Sequence, residues 1–458
     1  MVSGVSVDTR FGRLLALHLL TIAVWASPLL PLPLLSVPLL PVPFLSGRGA
    51  SALAGPATAA AVDPAAVAPA ASSRSTPPPA AAPGATAARR RAPAGTYADL
   101  GEALDYYRFL VDADVWRPLA PGPLLRFGST HPQVRELQAL LVLFDDLSID
   151  HQGSDHFDRS LDRALRRYQA RHGLVADGVL GPATRAALNT PPQQRVAQLR
   201  LNHQRQTQFR AQAERRYVQV NIPEYRLRVV EDGAAVLEMK AIVGQSERPT
   251  PLLRSQIESL LVNPSWNVPR SIAEADILPR WHQQPDYLQR HGYRIVSGWS
   301  RPRKLVEEQP ELRSLPFYQG GDYLRLWQPP GEDNALGRFK FDFPNPYSVY
   351  LHDTPQRGLF RFDRRAFSSG CVRLERPELL ARQLLDDPQR QTLEAALAGT
   401  RTRRLRLREP VPVYLTYWTA WIDGDGVLQQ RADIYRQDPS PADALSTAAL
   451  APAAAELH

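Results

Sequence analysis

A chain of 458 residues has room for two or three domains, since a domain takes roughly 100–200 residues. The net charge of +8 and pI near 9.7 come almost entirely from arginine, because lysine stands only at 240, 304 and 340; the arginines are dispersed among acids, and no run forms a nucleic-acid-binding arm. One cysteine, Cys371, excludes an intramolecular disulfide framework and any multi-cysteine zinc site.

Arg10 and Arg13 precede an apolar run from Leu14 to Ala26, the basic and apolar regions of an export signal. The run is short for a membrane span of about 20 residues. The apolar sequence after it is broken repeatedly by proline, which disfavours one regular helix. Residues 1–45 are therefore read as an export signal or a retained membrane anchor, with export in either case. Residues 46–95 are an Ala/Pro-rich disordered linker, and 437–458 a flexible tail.

Residues 96–127 carry Leu100, Leu104, Tyr107 and Leu110 at helical spacing, and 190–214 open a second helix after prolines. These segments read as a helical scaffold around residues 128–189. There Val134, Leu137, Leu140 and Leu141 fit one helix face; Phe157, Leu161, Leu165 and Tyr168 fit a second; Thr184, Ala187 and Leu188 fit a third. Turn signals at 172–173 and at 177–182 ("DGVLGP") separate them. The words "VRELQALL" and "ALRRYQARHGLVADGVLGPATRAALN" resemble the three-helix peptidoglycan-binding repeat of bacterial wall enzymes. The pattern also fits a packing subdomain that no longer binds glycan.

From about Arg216 the periodicity becomes that of strands, with "EDG" as a hairpin turn. An insertion over about 265–336, with helical pieces such as "SIAEADILPRW", is placed to act as a lid. The strand "YSVYLH" delivers His352, and after a loop comes "FSSGCVRLERPELLARQLL", whose Pro377 suits the first turn of a helix. Gly370 permits a tight backbone beside Cys371, and backbone N–H groups there suit an oxyanion. His352 and Arg373 nearby favour the thiolate, the form that attacks. The chemistry is that of a Cys–His acyl-transfer site.

The stretch "HDTPQRGLFRFDRRAFSSGCVRLE" resembles the L,D-transpeptidase signature, a histidine followed at this distance by Ser/Thr-His-Gly-Cys-apolar-Arg. Ser368, Gly370, Cys371, Val372 and Arg373 match; Ser369 replaces the usual histidine, and Asp353 stands where glycine is common. "IVGQSERPTPLL" and "VNPSWNVPRSIAEADILP" are similar to the large periplasmic branch with a capping subdomain. The resemblance implies a multidomain chain: a β-rich catalytic domain (a β-sandwich with helices) over 215–436, plus the three-helix binding domain and its scaffold.

It further implies peptidoglycan tetrapeptide stems as donor and acceptor and a 3→3 cross-link as product. Cys371 would be the nucleophile, His352 the general base and then acid, the Asp353 carbonyl the orienter of the imidazole, and Gly370 part of the oxyanion site. Arg373, Ser368, Ser369, Trp266 and Tyr323 would contact substrate, with Asn267 and Trp327 as further cleft candidates. Carbapenems would acylate the cysteine, and a cell-wall synthase partner is compatible with this reading. Arg373 has a plainer alternative, a structural ion pair with Glu375 or Asp363; the aromatics are equally suited to a core. No cofactor or metal site is inferred, since "WHQQPDYLQRH" lacks a third ligand. Transfer to water (an L,D-carboxypeptidase), to a D-amino acid or to a lipoprotein uses the same residues. A non-catalytic wall-binding scaffold is the alternative from another class.

Overall fold

The computed structural model describes residues 96–298, 303–319 and 323–438; the leader at 1–45, the linker at 46–95 and nearly all of the tail lie outside them. Among the described residues no helix is long and apolar enough to cross a membrane. Helix α1 (Leu100–Asp112) begins where Asp99 accepts a hydrogen bond from the Glu102 N–H at 3.0 Å, satisfying one amide of the first turn. Helices α2 (Gln133–Leu143), α3 (Arg159–Arg171) and α4 (Pro182–Leu188) make the small module. Asp158 caps α3, and Pro182 opens α4 where no N–H is needed. Val134, Leu137, Leu141, Phe157, Leu165 and Tyr168 are fully buried together, so one apolar core holds the module. Helix α5 (Pro192–Arg210) packs along α1.

Strands β1 (Arg216–Asn221), β2 (Arg226–Glu231) and β3 (Ala234–Gly244) form an antiparallel meander. Asp232 and Gly233 between β2 and β3 both take positive φ, 48° and 83°, which suits the twist of a tight hairpin. β4 (Leu253–Val262) leads into the insertion. The insertion has the expected helical pieces and also a four-stranded sheet, not expected, of β5 (Trp266–Asn267), β6 (Arg294–Ser297), β7 (Lys304–Val306) and β8 (Leu324–Gln328), in the order β5-β8-β6-β7. Short helices α6 (Arg270–Ile272), α7 (Leu278–Gln283) and α8 (Tyr287–Arg290) cover it, with a π-helical turn at Ala273–Ile277 between the first two. Trp281, Ile277, Leu288, Ile295 and Leu326 give this lid its own core.

The chain then re-enters the main sheet as β9 (Phe339–Asp342), β10 (Leu351–His352), β11 (Ala366–Ser368) and β12 (Val372–Leu374). It continues through α9 (Pro377–Leu384) and α10 (Asp387–Leu397) into β13 (Arg403–Thr416). The strand order is β11-β3-β12-β10-β9-β4-β13-β1-β2, and β2 also pairs with β3. The expected sandwich is therefore one sheet closed on itself, which pairs strands that would otherwise be edges. Its core joins Val218, Leu227, Ile257, Phe341, Leu351 and Val413, with Leu380 and Leu393 from α9 and α10.

The hairpin of β14 (Ala420–Ile422) and β15 (Leu428–Gln430) departs from the expected domain boundary. Ala420 and Leu428 join the helical core, and Asn202 of α5 donates to Thr419 Oγ1 at 2.8 Å. The hairpin thus joins the scaffold, while Tyr417, Ile434 and Tyr435 on either side of it pack against the catalytic core.

Candidate active site

β10 and β12 run parallel, with Leu351 opposite Val372 and His352 opposite Arg373. Side chains alternate between faces, so Leu351, Val372 and Leu374 enter the core at 0%, 1% and 0% exposure. Tyr350, His352, Cys371 and Arg373 share the other face, where they line a cavity of about 380 Å³ roofed by the lid. Two larger clefts, of about 810 and 740 Å³, contain neither His352 nor Cys371. Convergent reactive groups, rather than size, select the smaller one.

The imidazole of His352 is buried, and its Nδ1 lies 2.5 Å from the Asp353 carbonyl oxygen. A carbonyl only accepts, so Nδ1 carries the proton and Nε2 is left as the basic atom. Asp353 is itself held: the N–H groups of Arg338 and Thr354 donate to its carboxylate at 2.8 and 2.7 Å, and Arg357 pairs with it. Burial, then the charges of Arg373 and Lys340, press the His352 pKa down to about 3. The ring is therefore neutral throughout the physiological range.

Cys371 is half-buried. The expectation of a thiolate favoured by His352 and Arg373 is corrected here: burial pushes the thiol up, and this outweighs the opposing pull of the Tyr350 N–H and hydroxyl, Lys340 and Arg373. Among the described residues no hydrogen bond joins His352 to Cys371; the Tyr350 hydroxyl contacts the sulfur instead. The resting pair is a neutral thiol and a neutral imidazole. Tyr350 went unnoticed in the sequence, although it stands two residues before His352 and hence on the same strand face. Lys340 lies over its ring, with Nζ 4.2 Å from the centroid, and pairs with Asp342 at 2.7 Å.

The Cys371 turn is fastened from two sides. Ser368 Oγ donates to the Cys371 carbonyl at 2.5 Å and accepts from the Gly370 N–H at 3.2 Å. Ser368, expected at the substrate, lines the cavity but uses its hydroxyl to shape the turn. Gly370 at φ +108° is a conformation suited to glycine, yet its N–H, expected in the oxyanion site, points at Ser368. The Cys371 N–H has no backbone acceptor among the described residues. From behind, Thr250 Oγ1 donates to the Gly370 carbonyl at 2.8 Å, a contact made across 120 residues of chain.

Arg373 makes no ion pair with Glu375 or Asp363; its Nη1 donates to Gln356 Oε1 at 2.7 Å, and its Nε is buried without an acceptor. Trp266 and Ser369 line the cavity, with Trp266 only 8% exposed. Tyr323 does not line it; its ring stacks on Tyr318 in the lid at 6.4 Å. Asn267 is engaged by Arg325 at 2.9 Å, and Trp327 lies under Arg303. Among the described residues no group of three His, Cys, Asp or Glu side chains is placed to hold a metal ion.

A thiol and a tautomerically fixed imidazole share one rigid sheet face under a lid, an arrangement suited to acyl transfer through the cysteine. Residues 215–412 match the family model described as the L,D-transpeptidase catalytic domain, and residues 130–188 match a "Putative peptidoglycan binding domain". A Haemophilus influenzae protein named "Putative L,D-transpeptidase" is 38% identical over 224 residues, 48% of this chain and 44% of that protein. The Mycobacterium tuberculosis protein named N-acetylmuramoyl-L-alanine amidase CwlM is 38% identical over 77 residues, 15% of this chain and 18% of its own. The chain thus spans less than half the length of these curated relatives. A solved L,D-transpeptidase from Xylanimonas cellulosilytica is 17% identical, covering 66% of this chain and 100% of its own, with a TM-score of 0.21.

Proposed function

We propose that this protein is an exported L,D-transpeptidase that forms 3→3 cross-links between peptidoglycan tetrapeptide stems. The observation that carries the reading is the shared strand face of His352 and Cys371 within the family-matched domain, with His352 Nε2 left free to take a proton. Cys371 Sγ attacks the carbonyl carbon of the amide after the third residue, and the thiol proton passes to His352 Nε2. The oxyanion is met by the Cys371 N–H and the Tyr350 hydroxyl. The C–N bond then breaks, His352 returns the proton to the departing D-alanine amine, and a thioester remains. An amine of a second stem attacks the thioester, His352 accepts its proton, and the sulfur leaves with that proton restored.

Arg373 takes a substrate carboxylate through its planar guanidinium. That pairing also bears on proton transfer. Arg373 is the larger of the two charges holding the His352 pKa down, so neutralising it makes the imidazolium less costly when it must form. In this reading the helical module holds the glycan, and residues 1–45 direct export, as a cleaved signal or an anchor. A wall synthase supplies nascent strands.

Incubation of the full chain with disaccharide-tetrapeptides, followed by mass spectrometry, tests the proposal. The expected product is a dimer lacking one D-alanine, absent when Cys371→Ala is used. Tripeptide alone would replace cross-linking by hydrolysis. A folded wild type that forms neither would defeat the enzyme reading. A carbapenem is expected to add the mass of one drug molecule to the wild type and none to Cys371→Ala; an unshifted folded wild type would contradict that expectation.

A further inference from the structure

The lid's wall of the cavity contains a cation for which the reaction above has no use. Arg280, on α7, and Arg373, on β12, both line the cavity, together with Arg290 and the acids Asp276 and Asp333. On a helix the natural partner of Arg280 is Asp276, four residues earlier on the same side. Asp276 is instead taken in a two-pronged pair by Arg248, at 2.6 and 3.0 Å. Arg290 is paired with Asp286 at 2.9 Å. Asp333 is exposed at the rim. Arg280 is left with the Tyr287 hydroxyl, to which Nη1 donates at 3.2 Å, and with no carboxylate in ion-pair range among the described residues.

The two unpaired guanidiniums belong to one space. Tyr293 also lines the cavity, and its hydroxyl feels the charges of Arg280 and Arg373 as well as that of Asp276. The same walls hold a buried donor without an acceptor, Arg373 Nε. The buried Arg373 Nε is a cost that a ligand oxygen removes, and the exposed Arg280 adds a second positive charge to the same cavity lining, which together fit a ligand with more than one anionic group.

We infer that Arg280 is a second carboxylate anchor, a specificity-determining residue that reads a donor stem carrying a free carboxylate beyond the one held by Arg373. The inference rests on the stem-peptide reading above. Asp276 and Arg248 act as its supports: their pair keeps Arg280 from being neutralised within the protein. The stem class that fits has both of its non-reacting carboxylates free rather than amidated.

The test is calorimetric binding to the full chain carrying Cys371→Ala, so that no turnover intervenes. The probes are a disaccharide-tetrapeptide with both non-reacting carboxylates free and two versions amidated at one or the other. Adding Arg280→Ala or the similarly sized Arg280→Gln is expected to weaken binding of the free-acid stem about 10-fold or more. Binding of one amidated stem should stay unchanged, and Arg280→Lys should recover part of the loss. Arg290→Ala, which removes an arginine already paired, should leave the ratio between stems as it was. Equal weakening of all three stems by both neutral variants, no weakening of any, or no binding of the stems would overturn the inference. The transpeptidase reading fails separately, if wild-type protein makes no dimer from these stems while the binding ratios follow the expectation.

Discussion

Replacing His352 by glutamine is expected to lower turnover of stem peptides by about 10²- to 10⁴-fold, the range for losing a positioned acid–base group. The reason lies in the resting protonation states. With the thiol pushed up by burial and the imidazole held near 3, the free enzyme contains little thiolate, so attack requires transfer of the proton to Nε2. A companion measurement separates this from a preformed ion pair. Alkylation of the free wild type by iodoacetamide should rise about tenfold per pH unit from pH 7 to 9, as thiolate is formed by solution base. His352→Gln should change that alkylation rate little while removing turnover. A wild-type alkylation rate already level below pH 7 would show a thiolate–imidazolium pair and sink the argument. Stability follows the same linkage. The folded pKa of His352 lies below its ordinary 6.5, so protonation favours unfolding, and its contribution is lost as pH falls from 6.5 toward about 3. The thermal midpoint of the wild type should therefore drop more steeply over that window than that of His352→Gln.

How much of this could be seen in the sequence depended on distance along the chain. Cys371, Gly370, Arg373 and His352 lie within one short stretch, where spacing alone suggests a nucleophile and its base. The small module was legible because its helices bury residues at regular intervals within 60 or so positions. Local sequence shows which cations lie near a thiol, but not how deeply the thiol is buried. That is why the direction of its shift was misjudged. The lid sheet was missed because its strands are two to five residues long and β8 finds β6 across a gap of more than 20 residues. Nor does alternation in the β14–β15 hairpin reveal which core it joins. The partners of the nucleophile's turn were the least visible: Thr250, Arg248 and Asp276 look like ordinary polar residues until the fold brings them together.

That loop yields the second large effect, at Gly244. The residue ends β3, and there space rather than backbone angle demands glycine. A Cβ at this position would lie 2.3 Å from the Arg248 carbonyl oxygen, 2.7 Å from the Thr250 nitrogen and 2.9 Å from the Pro249 carbonyl carbon. All three are backbone atoms, so no side-chain rotation relieves the overlap. The tight return places Thr250 beneath the nucleophile: the Gly244 N–H donates to Thr250 Oγ1, which donates to the Gly370 carbonyl, both at 2.8 Å. Tyr435 closes the same unit by donating to the Gly244 carbonyl at 2.5 Å, and Arg248 ties it to the lid through Asp276. Gly244→Ala must therefore move the 245–250 loop away, loosening the Cys371 turn and the lid clamp together. The expected cost is about 3 kcal/mol or more. The thermal midpoint should fall by about 5–10 °C, and turnover per folded molecule should fall as well. Gly424→Ala, with no atom within 4 Å of its added carbon, is the control and should melt like the wild type. Normal melting with lost turnover in Gly244→Ala would place the role of the loop in positioning Cys371 alone. Wild-type values for both would mean that the loop accommodates a methyl group, and the tight coupling between loop, nucleophile and lid would have to be given up.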